Sequence, residues 1–316
     1  MTTPSGRLRL ATRGSPLAVW QARRVMALLA GIGVEADFVV VDTEGDRRTD
    51  VPLARIGGQG VFVKEVQSAV ARGDADAAVH SAKDLPAAAE LAAPGLAIAA
   101  FPERGDPRDV LVGADLHGLA TGATVATGSA RRRVQLANLR PDLLFCDLRG
   151  NLATRLAAVD HVTAVVVAAA GVDRLAWTPP SGVEVERLEL GVMLPQVGPG
   201  ALAVECRADD DRTRTALGAI DDVAVRRAVE AERAFLAELG GGCTLPVGAH
   251  AVADPEAGLA LTGLVASDDG RVVLRHADRG ADPVALGRAV ARYLLDEAGA
   301  GGLGAWGPPG DAPGVG

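Results

Sequence analysis

The feature that most constrains the fold is a strand, turn and helix pattern that occurs twice in the chain. In the first copy, a strand over Leu8–Thr12 runs into Ser15-Pro16, which supplies an N-cap and a first-turn proline for a helix. In the second copy, a strand over Thr124–Thr127 is followed by Gly128-Ser129 and a helix over Ala130–Leu139. Both helix N-termini carry free backbone N–H groups and a positive dipole end, which suit an anion. We therefore expect two similar α/β domains.

The rest of the chain also alternates between strand and helix patterns. Further strands are predicted at Ala36–Val41, Ala75–Val79, Ala97–Ala100, Asp109–Val112, Val162–Ala168 and Ala201–Cys206, with helices at Val61–Arg72 and Leu152–Val159. A helix from Asp221 then leads to a glycine-rich loop, followed by strands near Ala249–Ala253, Leu259–Val265 and Arg271–His276 and a helix over Pro283–Glu297. This order predicts mixed or parallel sheets covered by helices, and a small α+β domain at the end.

Composition narrows the class of protein. A chain of 316 residues with 48% hydrophobic content can bury sizeable cores, and its length predicts two or three domains. The chain contains no apolar run long enough to cross a bilayer and no apolar signal core near its first residue, so we expect a cytoplasmic protein. The net charge of -8 argues against a general nucleic-acid binder. No Cys and His spacing suggests a metal site.

Arginines are concentrated near predicted strand ends and helix starts. Arg131, Arg132 and Arg133 fall in the first turn of a predicted helix. There they oppose the helix dipole, at a cost of about 0.3 to 1 kcal/mol each where exposed. A bound carboxylate explains their placement better than helix stability does. The alternative is a solvated charged face.

Cys243 lies in a glycine-rich turn, Gly240-Gly241-Gly242-Cys243, directly after a helical segment. A thiol displayed on such a loop can be reached by another molecule and can form a covalent bond. The alternative is a helix C-cap with an incidental thiol. Cys146 and Cys206 lack the glycine setting, and all three cysteines are expected to be free thiols.

A second polar segment follows a predicted buried strand. In His80-Ser81-Ala82-Lys83-Asp84-Leu85-Pro86, a lysine stands next to a carboxylate just after the strand. Ligands of open α/β sheets bind at such strand ends. The alternatives are a salt-bridged turn for Asp84 and a structural role for His80.

Five separated segments, in order, resemble the porphobilinogen deaminases, also called hydroxymethylbilane synthases. They are Leu10-Ala11-Thr12-Arg13-Gly14-Ser15-Pro16-Leu17-Ala18, Phe62-Val63-Lys64-Glu65, His80 to Pro86, Leu148-Arg149-Gly150-Asn151-Leu152-Ala153-Thr154-Arg155-Leu156, and Gly241-Gly242-Cys243. The similarity extends from Leu8 to about Leu295. Any one segment is weak, but five in the order of the family are a specific signal.

The resemblance implies a fold with three domains. Two similar α/β domains of the periplasmic-binding-protein type are joined by a hinge, and a small α+β domain follows. Domain 1 would comprise residues 1–101 and 197–218, domain 2 residues 102–196, and domain 3 residues 219–298. Residues 299–316, rich in glycine, proline and alanine, are predicted to be disordered. The family also suggests a monomer.

The resemblance also implies the chemistry. Four molecules of porphobilinogen, a pyrrole with an aminomethyl group and two carboxylate arms, would be condensed with loss of ammonia onto a covalent dipyrromethane primer. Hydrolysis would then release the linear tetrapyrrole hydroxymethylbilane. Each condensation proceeds through cationic species, which a fixed carboxylate can stabilise while it also shuttles protons. No nucleic-acid or membrane partner is implied.

Residue roles follow from the matching segments. Asp84 would be the catalytic carboxylate, and Lys83 would position it or a substrate acid. Cys243 would carry the dipyrromethane cofactor through a thioether, and Ser129, Arg131 and Arg132, with Lys83 and Asp84, would bind that cofactor. The substrate carboxylates would be bound by Arg13, Ser15, Arg149, Arg155 and Arg174. Arginine suits this role because its fork binds two oxygens at once.

Some positions depart from the family pattern, and two other functions stay open. Arg55 and Gln59 stand where lysines are common, Pro199 replaces a common glutamine, and Gly240 replaces a common glutamate. A solute-binding or effector-sensing module would explain two hinged α/β domains, but it would need neither Asp84 nor Cys243. A thiol-dependent transferase would use Cys243 as its nucleophile, but no histidine lies in a recognisable partnering motif.

Overall fold

The computed structural model describes residues 6–42, 63–88, 92–240 and 245–303. Its strands are β1 Leu8–Arg13, β2 Ala36–Val41, β3 Ala77–Ser81, β4 Leu96–Ala100, β5 Asp109–Gly113, β6 Thr124–Ala126, β7 Leu144–Cys146, β8 Ala164–Ala168, β9 Glu184–Leu188, β10 Leu202–Arg207, β11 Val247–Asp254, β12 Gly258–Ala266 and β13 Val273–Gly280. Its α-helices are α1 Pro16–Gly31, α2 Lys64–Ala71, α3 Ala130–Leu139, α4 Leu152–Ala157, α5 Ala169–Arg174, α6 Asp211–Gly218, α7 Val223–Glu238 and α8 Pro283–Arg292.

Two five-stranded sheets share one topology. The first has the order β2-β1-β3-β10-β4 and the second the order β7-β6-β8-β5-β9. In each sheet the first three strands are parallel, and the fourth runs antiparallel to its neighbour. These fourth strands, β10 and β5, are the ones that follow the two passages of the chain between the sheets. The prediction of two similar α/β domains is thereby confirmed.

The predicted helix start of the first unit has a clear local cause. Ser15 adopts an extended conformation, and its Oγ accepts a hydrogen bond from the backbone N–H of Ala18 at 3.3 Å. Pro16 occupies the first helical position, where a missing N–H costs nothing. The apolar face of α1, which includes Val25 and Leu29, packs against the first sheet. The N-cap and the spacing of the apolar residues therefore both favour this helix.

The third domain packs two helices against a three-stranded antiparallel sheet, β11-β12-β13. Its core joins Phe235 of α7, Leu261 of β12 and Val290 of α8, all fully buried. The small α+β domain predicted from the sequence is confirmed. In the described residues, no helix has the length and apolar character that a membrane crossing requires.

The chain remains ordered beyond the predicted end of this domain. Residues Ala300–Gly302 form a 3₁₀ turn, Ala300 is fully buried, and Leu303 packs against the third core. The prediction that disorder begins at residue 299 is therefore wrong for residues 299–303, because Leu303 supplies an apolar contact that composition alone obscured. The remainder of the predicted tail, residues 304–316, lies outside the described residues.

The chain passes between the two sheets twice, at residues 101–108 (the first passage) and 189–201 (the second passage), and the two passages lie side by side. The backbone N–H of Gly105 donates to the carbonyl of Gly200 at 2.9 Å, and Leu202 N–H donates to Glu103 O at 3.0 Å. Gly200 has a positive φ of 70°, and a Cβ there would lie 2.5 Å from Gly105 O. Only glycine allows this approach, so Gly200 helps to hold the two passages together.

Candidate active site

The carboxyl ends of the parallel strands in the first sheet bring four predicted residues to one edge. Because β1 and β3 are parallel neighbours, Arg13 at the end of β1 lies at the same edge as the 3₁₀ turn Ala82–Asp84 that follows β3. The two strand ends are also linked through α1, since Gln21 Nε2 donates to Ser81 Oγ at 2.8 Å. Arg13, Ser15, Lys83 and Asp84 thus share the edge at which open α/β sheets bind ligands.

The second sheet presents its own carboxyl edge in the same way. Ser129 stands at the N-terminus of α3, and its hydroxyl makes no capping hydrogen bond there. Gly128 lies so close to the segment after β7 that a Cβ would be 2.7 Å from Leu148 O. This close approach lets the start of α3 lie beside the loop that carries Arg149. The sequence correctly predicted both helix starts but gave no indication of this contact.

Arg131 and Arg132 are buried and share one carboxylate. Arg131 Nη2 donates to Asp109 Oδ2 at 2.8 Å, and Arg132 Nη2 donates to Asp109 Oδ1 at 2.7 Å. Burial opposes ionisation of Asp109, but the two guanidinium groups outweigh it and lower the pKa of this carboxyl to about 2. Asp109 was not predicted as a site residue. Only its position at the start of an apolar strand could have marked it.

This pairing gives two of the first-turn arginines an internal partner. The sequence predicted a bound ligand carboxylate as the explanation of their placement, and the structure adds the carboxylate of Asp109. Arg133 does lie at the surface, where Nη2 is 3.0 Å from Asp147 Oδ1. The solvated-face alternative is therefore correct for Arg133 and wrong for the other two. A role of Arg131 and Arg132 in holding the cofactor stays a prediction.

Charged residues from both sheets meet around Lys83 and Asp84. Burial lowers the pKa of Lys83; the nearby Asp84 opposes this, and Arg132 and Arg155 lower it further. Burial also lowers the pKa of Arg155, with contributions from Arg132 and Arg149, while Asp84 raises it. Lys83 also lines one cavity with Arg131 and Arg132, so the turn that carries Asp84 lies beside the start of α3.

Two small neighbouring cavities lie at this junction. The first is lined by Lys83, Asp109, Arg131, Arg132 and the segment around Pro199. The second is lined by Ser129, Leu245 and Val247, together with Arg131 and Gln196, which belong to both cavities. Leu245 is the first described residue after the segment 241–244.

The donors at these cavities fit a ligand with several carboxylates. Among the described residues, the Nε atoms of Arg131 and Arg132 are buried and have no hydrogen-bond partner. Buried guanidinium groups with unused donors are suited to carboxylate oxygens. A dipyrromethane group, which carries carboxylate arms, matches this donor set. In the described part of the chain, no cluster of three or more histidine, cysteine or acidic residues could hold a metal ion.

Arg174 lies apart from this cluster. Its Nη2 donates to Gly200 O at 2.7 Å, and its guanidinium lies 5.2 Å from the ring centre of Trp20. In the structure Arg174 therefore links α5 to α1 and to the passage between the sheets. Its role as a substrate ligand stays a prediction.

The three cysteines differ in what the structure says of them. Cys243 lies in the segment 241–244, outside the described residues, so its predicted attachment to the cofactor stays a prediction. Cys206 is fully buried in β10, and burial raises the pKa of its thiol to about 11. Such a thiol is protonated and inert at neutral pH. Cys146 is half-buried at the end of β7.

The remaining sequence predictions concern His80 and the departures from the family pattern. His80 is buried, with Nε2 3.2 Å from Glu205 Oε2, which fits the structural alternative. Pro199 lies in the second passage, where its carbonyl accepts from Arg104 Nε at 3.0 Å. Gly240 follows α7 with a positive φ of 90°. Arg55 and Gln59 lie outside the described residues.

Comparison with protein families identifies two matching domains. Residues 8–215 match the profile described as "Porphobilinogen deaminase, dipyromethane cofactor binding domain". Residues 226–296 match that described as "Porphobilinogen deaminase, C-terminal domain". Among solved structures, a methionine-bound nutrient-binding protein from Burkholderia cenocepacia is 13% identical with a TM-score of 0.43, covering 69% of this chain and 93% of that chain.

Curated relatives are similar over nearly the whole chain. A porphobilinogen deaminase from Brevibacillus brevis is 44% identical over 297 residues, covering 92% of this chain and 94% of the relative. One from Syntrophus aciditrophicus is 45% identical over 301 residues, covering 92% and 96%, respectively. One from Xanthomonas euvesicatoria is 46% identical over 304 residues, with the same coverage. Together with the two profile matches, these similarities show that the chain belongs to the porphobilinogen deaminase family.

Proposed function

We propose that the chain is a porphobilinogen deaminase, a transferase that condenses four porphobilinogen molecules, with release of ammonia, into hydroxymethylbilane. The observation that carries this proposal is that Lys83, next to Asp84 in the turn after β3, lines one cavity with Arg131 and Arg132 of the second sheet's domain. A substrate with carboxylate arms and a cationic reaction centre needs this combination of charges. The family membership of the chain supports the same conclusion.

The arginines bind and orient the ligand in this proposal. Arg155 is half-buried, and its Nε donates to Gly150 O at 2.9 Å, which orients the side chain while leaving its Nη donors for a ligand. Arg13 and Arg149 lie at the two facing sheet edges. A guanidinium fork is always charged and accepts both oxygens of a carboxylate. This set therefore holds the carboxylate arms and fixes the pyrrole ring near Asp84.

Asp84 performs the charge and proton chemistry. Its carboxylate faces the positive charge that develops when the aminomethyl group of porphobilinogen leaves as ammonia. The same carboxylate accepts the proton that leaves the ring carbon after the carbon–carbon bond forms. Lys83 lies beside it, and its lowered pKa makes it easier for this amine to give up a proton than for an ordinary lysine.

The covalent primer belongs to the same proposal. A dipyrromethane cofactor on Cys243, attached through a thioether, supplies the pyrrole end to which new units are added. Ser129, Arg131 and Arg132 line the two cavities and would hold its carboxylates. A cytoplasmic location and a monomeric state remain predictions from sequence and family.

The test is turnover of porphobilinogen, followed by ammonia release and by formation of the linear tetrapyrrole. The informative pair of variants is Arg155→Leu and Arg133→Leu. Arg155→Leu removes a desolvated partner of a substrate carboxylate. It should therefore weaken the binding and turnover of porphobilinogen by about 2 to 5 kcal/mol. Arg133 lies at the surface of the same domain, 3.0 Å from Asp147, so its variant should keep turnover near that of the wild type.

The two other functions make different predictions for the same assay. A solute-binding module would bind porphobilinogen without releasing ammonia. A thiol-dependent transferase would lose all turnover in Cys243→Ser yet tolerate Arg155→Leu. Absence of ammonia release from the wild-type protein would reject the proposed function.

A further inference from the structure

Asp109 lies at the centre of a buried charge cluster that lines one of the two cavities. Its carboxylate is 2% exposed, and the two arginines that it contacts, Arg131 and Arg132, are 4% and 8% exposed. Each of its oxygens accepts from a different guanidinium, at 2.8 and 2.7 Å. One carboxylate therefore fixes two cations at once.

Each guanidinium is also fixed from a second side. Arg131 Nη1 donates to Leu194 O at 2.6 Å, and Arg132 Nη1 donates to Val166 O at 2.8 Å. Adjacent residues on a helix point about 100° apart, so Arg131 and Arg132 would diverge without a common partner. Asp109, at the start of β5, provides that partner and makes the two side chains converge on one cavity.

The charges in the cluster do not balance. Arg131 and Arg132 share the one carboxylate of Asp109. Lys83 and Asp106 also line the cavity, but Asp106 pairs instead with Arg108 and Arg187. In addition, the Nε atoms of both arginines are buried without a partner among the described residues. A cluster whose only function was to stabilise the fold would not be expected to leave an excess cation and two buried donors unsatisfied. The excess is complementary to the carboxylates of a ligand.

We propose that Asp109 is a positioning residue that holds Arg131 and Arg132 in the orientation in which they bind the carboxylates of the dipyrromethane group. Asp109 does not touch the ligand in this role. Its negative charge offsets one of the two positive charges. Its two oxygens keep both guanidinium groups converged on the same cavity. This inference rests on the proposed function.

The experiment compares Asp109→Ala, Asp109→Asn and Asp109→Glu with a matched control, Asp142→Ala. Asp142 belongs to the same domain and also pairs with an arginine, since Arg140 donates to its two oxygens at 2.8 and 2.6 Å, but neither residue lines the cavities. For each variant, intact mass gives the fraction of folded protein that carries an adduct of two pyrrole units. Thermal unfolding gives stability on the same sample.

The Ala and Asn variants should carry at least about tenfold less adduct than the wild type in their folded fraction, as expected for removal of one partner of a buried charged pair. The Glu variant keeps the charge and should retain more adduct than either. Incubating the Asp109→Ala variant with porphobilinogen and formate should restore adduct formation, because formate returns the missing carboxylate. Chloride at the same ionic strength should not, and Asp142→Ala should behave as the wild type does.

Three results would overturn the inference. The first is a full adduct on folded Asp109→Ala, whatever its unfolding temperature. The second is equal rescue by formate and chloride. The third is failure of Asp109→Ala to fold in either salt, which would assign Asp109 to the stability of the core. A wild-type protein without adduct would instead reject the proposed function, so the two failures can be told apart.

Discussion

At the scale of single residues, the candidate site residues could be predicted from the sequence, but the ion pairs that they form could not. The arginines of the first turn of α3 were identified from their conflict with the helix dipole. Their partner, Asp109, lies 22 residues before Arg131 in the sequence. Only the folded sheet brings the two together. Asp84 and Lys83 were identified because a polar turn after a buried strand marks a ligand-binding edge without long-range information.

Asp84→Asn tests the charge of the proposed catalytic carboxylate. The substitution keeps size and hydrogen-bonding reach but removes the negative charge. Loss of a charge directed at a developing cation should cost on the order of 3 kcal/mol, a rate loss of at least about a hundredfold. Single-turnover ammonia release measures this loss, and porphobilinogen binding to the same variant should suffer less. A variant that only fails to bind would make Asp84 a ligand contact.

At the scale of elements, strong periodic patterns were predicted well and edge elements were missed. The predicted bounds of β2 and α3 agree with the structure. The missed strand β9 lies at a sheet edge and has one buried residue, Leu188, so it lacks a buried apolar pattern. The missed helix α6 has a cap that could have been recognised, because Asp210 Oδ1 accepts from Thr213 N–H. The antiparallel insertion of β10 and β5 depends on distant strand pairing, which local patterns cannot reveal.

The end of the chain gives a prediction about stability. Deleting residues 304–316 should leave the unfolding temperature nearly unchanged, because their composition offers little apolar area to bury. Deleting residues 299–316 also removes buried Ala300 and the contact of Leu303 with the third core. The longer deletion should cost about 1 to 3 kcal/mol. Differential scanning calorimetry measures the unfolding temperature of both truncated proteins. Equal unfolding temperatures would contradict the packing of Leu303.

His250 in β11 gives a prediction about pH. Burial, and to a lesser degree the charge of Arg104, lower the pKa of His250 from 6.5 to about 4. Between these pH values the unfolded chain binds a proton that the folded protein does not, so stability falls as pH falls through this window. His250→Gln should lose less stability over the same window, by on the order of 1 to 2 kcal/mol. Urea unfolding of both proteins at several pH values measures this difference in the free energy of unfolding. An equal pH dependence of the variant and the wild type would show that His250 is not its source.

At the scale of the whole molecule, one buried side chain connects all three domains. Glu232 of α7 is fully buried, accepts from Arg104 Nη2 at 2.8 Å in the first passage, and accepts from Gly198 N–H at 2.8 Å in the second. It also accepts from the backbone N–H of Ala251 in β11 at 2.8 Å. The third domain is therefore bound to both passages between the sheets, close to the cavities.

Glu232→Ala should destabilise the protein by about 3 to 5 kcal/mol, because it leaves Arg104 without its buried partner. The matched control is Glu238→Ala on the same helix, where the carboxylate pairs with exposed Arg292. That variant should change the free energy of unfolding by less than about 1 kcal/mol. Denaturant unfolding measures both variants. Equal effects would show that the three contacts of Glu232 do not hold the domains together.

The central claim is that this chain carries a covalent pyrrole primer on Cys243, and the intact mass of the purified protein tests it most directly. The wild-type protein should show an excess mass of two pyrrole units, which Cys146→Ser should keep. Cys243→Ser should fold but lack the excess, because an alcohol is a much poorer nucleophile than a thiol. A wild-type mass without the excess, or an adduct located on Cys146 or Cys206, would contradict the account.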